Sequence, residues 1–163
     1  MKYPLKLNNL LILLILVATL ISCGSKEKKN ANTTPVGRTL EFPNELSFID
    51  NSGNEITTLR YLSADTPDKR NQGLMNVPSM PEDAGMVFFF DTEEIQSFWM
   101  VNTPLSLDII YVGADSTIVT VYHSATPFSE QSLPSFKLAK FVVETNAGFC
   151  INNDIKEGVK IKF

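Results

Sequence analysis

Leu105, Leu107, Ile109 and Tyr111 alternate with Ser106, Asp108, Ile110 and Val112. A period of two is that of a β-strand. The strand carries an aspartate among large apolar side chains, although Asp is disfavoured in strands. A carboxylate buried alone is costly, so Asp108 requires a partner or a ligand. Just before it lies Phe98-Trp99-Met100-Val101-Asn102, which holds the only tryptophan of the chain.

The rest of the chain repeats short strand patterns between turn residues. Leu46-Ser47-Phe48-Ile49 predicts a strand, Asp50-Asn51-Ser52-Gly53-Asn54 a turn, and residues 56–64 a second strand able to complete a hairpin. Thr66 can cap a helix whose first position suits Pro67, and Gly73 should end it. Met86-Val87-Phe88-Phe89-Phe90 is apolar on both faces, so it should be a central or sandwiched strand. Residues 91–97 read as a polar connection. Gly113-Ala114-Asp115-Ser116 reads as a hairpin turn, with residues 117–123 returning as a strand. Residues 124–136 read as a long loop. Residues 140–146 form a strand in which Phe141 and Val143 face opposite to Val142 and Glu144. One helical turn is expected near residues 147–151 and a closing strand at 159–163. Such a series, with one clear helix, points to a mainly β fold: a sandwich or barrel with one short helix across an end.

The first 39 of the 163 residues have a different character. Lys2 and Lys6 precede a nearly unbroken aliphatic run over residues 10–20, with the proportions of a signal-peptide apolar region. Leu20-Ile21-Ser22-Cys23 resembles a bacterial lipobox. The resemblance implies cleavage before Cys23, lipid on that residue, and a membrane as the first partner of the chain. Residues 1–22 are thus expected to be a lipoprotein signal peptide. Residues 23–39 form the lipidated Cys and a flexible linker, and residues 40–163 a single β-rich domain. The linker contains almost nothing that packs and would let the domain stand roughly 20–25 Å from the lipid. The expected location is the bacterial cell envelope, with the domain outside the cytoplasm. Nothing in the sequence fixes the oligomeric state or the membrane leaflet.

Charge and cysteine usage narrow the function. The formal net charge is −4, and losing Lys2 and Lys6 leaves 12 basic residues against 18 acidic ones. No basic surface suits nucleic acid. With Cys23 lipidated, Cys150 is a lone thiol, most simply a small buried apolar residue. A nucleophilic role would need a basic neighbour, and the only histidine, His123, lies far off in sequence. No metal or other cofactor is expected, because one histidine and no Cys-His cluster give a poor ligand set.

Several motifs in fixed order resemble the uncharacterised DUF192 family. They are Arg70-Asn71-Gln72-Gly73-Leu74-Met75, Gly85-Met86-Val87-Phe88, Phe98-Trp99-Met100, Asn102-Thr103 and Leu107-Asp108-Ile109-Ile110-Tyr111, then Ala125-Thr126-Pro127-Phe128-Ser129, Glu144-Thr145-Asn146-Ala147-Gly148 and Glu157-Gly158. The resemblance runs over about residues 46–163. It implies a compact, mainly β domain like a jelly-roll sandwich, often exported or lipid-anchored, and supplies no reaction. Two positions depart from the family pattern. Val101 stands where a basic residue is usual, and Ser106 where a proline precedes the Leu-Asp pair. Pro104 is the proline of this segment, and it biases Thr103 toward an extended backbone.

The polar groups in the most apolar surroundings are Arg70, Asn102, Asp108 and Glu144. With Trp99 they make the candidate polar cluster. Arg70 could hold Asp108 in a forked ion pair, a structural reading in which losing one partner would cost about 3–5 kcal/mol. The leading functional reading is non-catalytic binding of a small molecule, a glycan or a partner at the Trp99/Asn102/Asp108 face. One alternative is a glycan-acting enzyme using Asp108 and Glu144, which requires carboxyl groups about 5–10 Å apart across a cleft. Another is a structural or assembly protein of the envelope, with a filled core and an exposed apolar area.

Overall fold

The computed structural model describes residues 37–163. The expected signal peptide, Cys23 and nearly all of the expected linker lie outside the described residues. No helix among the described residues is long and apolar enough to cross a membrane.

Seven strands and two short helices follow in the order β1 (Asn44–Ile49), β2 (Glu55–Ala64), α1 (Pro67–Gln72), β3 (Ala84–Phe98), β4 (Leu107–Val112), β5 (Ile118–Ala125), β6 (Leu133–Asn146), α2 (Phe149–Asn152) and β7 (Lys160–Lys162). They form one sheet in the order β5-β4-β6-β3-β2-β1-β7. Among the described strands only β2 and β3 pair in parallel, with α1 and the loop after it making the crossover. The sheet curls until its edges meet: Thr117 bridges Lys160, and Ile118 N donates to Val159 O at 2.8 Å.

Alternation along each strand builds two cores, one on each face of the sheet. Leu46, Phe48, Leu59, Val87, Ile110, Val112, Val143 and Ile161 pack inside the curl, closed by Phe149 and Cys150 of α2. Met86, Phe88, Leu107, Ile109, Tyr111 and Val142 face the other way, covered by Leu74, Val77 and Met100. Phe141 and Val143 do face opposite to Val142 and Glu144, as the alternation predicts. With both faces covered, all six residues of β4 are buried.

Two expectations about strand length fail for one reason. Residues 91–97 are strand rather than connection, and β6 begins at Leu133, inside the expected loop. Between Phe89 and Glu94 the β3–β6 register slips, so β3 carries a large bulge. Ten residues of straight strand would span roughly 33 Å, yet the Phe88 and Phe98 ring centroids are 4.8 Å apart. β3 therefore bends sharply back. The outer arms of β3 and β6 then lie across β4 and β5, where Tyr111 Oη donates to Leu133 O and Tyr122 Oη to Pro134 O. Arms that leave half their residues in water lack the apolar alternation that marks a strand.

The helix forms as its punctuation predicts. Thr66 Oγ1 accepts from Lys69 N, Pro67 occupies the first turn, and Gly73 ends the helix at φ 44°. Phe88 lies against that glycine, so α1 is held over the outer face of β3.

Candidate functional site

A cleft of about 560 Å³ opens between α1, the bend of β3 and the start of the segment after it. Its apolar wall is Phe88, Phe90 and Phe98, with Phe98 edge-on to the other two. Trp99 stands at the rim, 57% exposed. Met100, the next residue, is fully buried. A β-turn follows, closed by Thr103 N donating to Met100 O at 3.1 Å. Asn102 holds the left-handed position of that turn, φ 54°, which asparagine tolerates. The turn fixes Met100 inward and returns Thr103 to the cleft wall.

Arg70 comes from the last turn of α1. Its Nη1 donates to Phe89 O at 2.7 Å, and its guanidinium lies 5.3 Å from the centroid of Phe90. One carbonyl and one ring orient the fork without neutralising it.

Glu144 lines the cleft from β6, pairing across the sheet with Met86 on one side and Ile109 on the other. It is 4% exposed, and its Oε2 is buried with no hydrogen-bond partner among the described residues. Burial among apolar neighbours pushes its carboxyl up to about 8, so at neutral pH it is mostly a neutral acid. Native proteins leave few buried polar atoms unpartnered, and each one calls for an explanation.

Asp108 points the opposite way. On β4 it pairs with Thr145, not with Glu144, so it faces the inside of the curl. It is fully buried. Its Oδ1 accepts from Ser124 N and its Oδ2 from Cys150 N, both at 2.9 Å. Burial first, and then the Asp108 carboxylate, push the Cys150 thiol well above the usual thiol range. A fully buried thiol held in that form is a poor nucleophile.

The five residues singled out in the sequence therefore divide. Arg70, Trp99 and Glu144 share the cleft; Asn102 and Asp108 are not among the residues that line it. The expected Arg70–Asp108 ion pair does not form, because their side chains lie on opposite faces of the sheet and Asp108 is satisfied by backbone N–H groups instead. Asp108 and Glu144 cannot act as a glycosidase pair across one cleft for the same reason. Asn102 serves the backbone turn. Gln96, Ser97 and Thr103 also line the cleft. The first two were hidden in a stretch that reads as polar connection, and for Thr103 the adjoining Pro104 was the available signal.

These features define a class: a mainly β domain of one curled sheet, carrying on its outer face a cleft with an aromatic wall, a guanidinium and a buried carboxyl. The chain belongs to the DUF192 family, described as Uncharacterized ACR, whose family model matches residues 48–163. Two crystal structures are similar. One, a Sinorhizobium meliloti 1021 protein proposed to be a transcription regulator, is 31% identical with a TM-score of 0.71, over 77% of this chain and 97% of that one. The other, a protein of unknown function from Novosphingobium aromaticivorans DSM 12444, is 30% identical with a TM-score of 0.69, over 73% of this chain and 84% of that one. No curated protein matches the chain.

Proposed function

We propose that this chain is a lipid-anchored domain of the bacterial envelope that binds a small ligand, without catalysis, in the cleft formed by Arg70, Trp99 and Glu144. The observation that carries the reading is the Glu144 carboxyl, buried and unpartnered where it lines the cleft. A ligand oxygen placed there gains a hydrogen bond from the neutral acid, and Arg70 offers charged donors beside it. Trp99 adds a flat apolar face of the kind a pyranose ring covers. The ligand class that fits is a neutral, hydroxyl-rich ring such as a glycan fragment. The anchor rests on the short apolar run and the Leu20-Ile21-Ser22-Cys23 motif.

Binding is favoured over hydrolysis because Glu144 is the only Asp or Glu among the described residues that line the cleft. Two-carboxylate chemistry therefore has no second member there. An assembly role would call for a filled core, whereas this face is open, although Ile95 and Leu138 form an exposed apolar cross-strand pair.

Trp99 is the sole indole, so its fluorescence reports the cleft directly. Titration of the purified protein with peptidoglycan and other envelope glycan fragments should give saturable quenching or enhancement with one of them. Glu144→Leu and Arg70→Met should each weaken it about tenfold or more, as lost hydrogen bonds to a neutral and a charged group imply. Saturable binding that neither substitution alters would refute the cleft as the site. For the anchor, cells fed labelled palmitate should label the protein, and Cys23→Ser should abolish the label; label that persists in the variant would refute it.

A further inference from the structure

We propose that Asp108, His123 and Cys150 form a binding site for a divalent transition-metal ion, with Zn²⁺ the ion their donors suit. The site lies on the inner face of the sheet and is independent of the cleft reading above.

The three residues come from β4, β5 and α2, and fold topology alone brings them together. One carboxylate oxygen, one imidazole nitrogen and the Cys150 Sγ all lie within 4.8 Å of one another. The β4–β5 pairing explains how. Leu107 pairs with Ala125 and Ile109 with Tyr122, so His123 and Ser124 together oppose Asp108. This is a β-bulge. Ser124 adopts φ 51°, a left-handed backbone unusual for serine, and aims its N–H at Asp108 Oδ1. His123 is left at the exposed end of the site, while Asp108 and Cys150 are fully buried.

Carboxylate, imidazole and thiolate are all zinc ligands, at about 2.0–2.3 Å from the ion. At tetrahedral angles such ligands stand roughly 3.3–3.7 Å apart. Closing from 4.8 Å needs movement on the order of 1 Å, which the exposed His123 side chain can supply. The carboxylate needs none. Each of its oxygens already accepts one backbone N–H and keeps a lone pair for an ion, so Ser124 N and Cys150 N would orient it as outer-shell partners do. Binding exchanges the Cys150 S–H bond for an S–Zn bond and releases the proton to solvent, with no change in oxidation state. Three protein donors leave a fourth position for water, on the side where His123 meets solvent.

The same three residue types could suggest a Cys-His-Asp nucleophile. A thiol with no exposed surface cannot reach the carbonyl of a substrate, whereas a single ion can enter as the exposed His123 side chain swings aside.

The test uses Co²⁺ as a spectroscopic stand-in for Zn²⁺. The probe is added to the full chain in detergent, carrying Cys23→Ser so that Cys150 is the sole thiol. One equivalent should bind, giving a near-ultraviolet thiolate-to-cobalt charge-transfer band and visible bands of tetrahedral strength, both abolished by Zn²⁺. Cys150→Ala should remove the charge-transfer band. His123→Ala, an exposed position that leaves folding intact, should weaken Co²⁺ binding at least about tenfold. Absence of a charge-transfer band with the folded protein would overturn the proposal. So would binding unaffected by His123→Ala, because the cluster would then be a structural one only.

Discussion

Replacing Glu144 by Gln should change how stability depends on pH, and the structure sets both the sign and the size. The carboxyl ordinarily titrates near 4.5 and is raised to about 8 in the fold. Below pH 4.5 the folded and unfolded chains are both protonated at this residue, and its contribution is fully present. Between 4.5 and 8 the unfolded chain has lost the proton and the native one keeps it, so stability falls as pH rises. The slope is about 1.4 kcal/mol per pH unit. Over that interval the loss reaches about 5 kcal/mol, and above pH 8 it levels off. The substituted amide has the same shape as the acid and no proton to lose. Urea unfolding of the two proteins, followed by circular dichroism from pH 4 to 9, cancels every other titrating group in the difference. The variant should stand close to the parent at pH 4.5 and gain on it steadily to pH 8, where the difference between them has grown by about 5 kcal/mol. Stability curves that stay parallel within about 0.5 kcal/mol would refute the reasoning, because Glu144 would then be hydrated or paired in the fold.

Other substitutions probe the remaining contacts. A Cβ at Gly85 would sit 2.5 Å from Glu144 O and 2.9 Å from Leu59 Cδ2. Gly85→Ala should therefore cost about 1–3 kcal/mol in urea unfolding and also disturb the cleft, because the strand it pushes carries Glu144. Asp108→Asn turns one acceptor into a donor facing a backbone N–H and should destabilise the domain by about 2–3 kcal/mol, with loss of amide protection at Ser124 or Cys150 in hydrogen exchange. Trp99→Ala removes a half-exposed ring, so stability should stay within about 0.5 kcal/mol while calorimetry shows weakened glycan binding.

Much of the architecture was legible in the residues. Alternation placed Phe141 and Val143 opposite Val142 and Glu144, and Thr66, Pro67 and Gly73 marked both ends of the one clear helix. These are local properties, set by backbone sterics and by which face of an element avoids water, so nearby residues are enough to read them. Trp99 outward and Met100 inward also alternate, but the turn at Asn102 sets which of the two faces the core.

The site was different. Arg70, Trp99 and Glu144 could be named from chemistry, but which carboxylate joined them could not, because Asp108 and Glu144 sit in equally apolar strands. Strand register decides that, and register depends on pairing between distant segments: Asp108 falls opposite Thr145, so it and Glu144 face different cores. The bulge in β3 folds Phe98 back onto Phe88, and the one in β5 carries His123 to Asp108 and Cys150. Sequence by itself determined the β alternation, the helix ends and the membership of the family. The grouping of residues into a cleft and an inner cluster was decided by tertiary structure, since a one-residue slip in pairing moves a side chain to the other face.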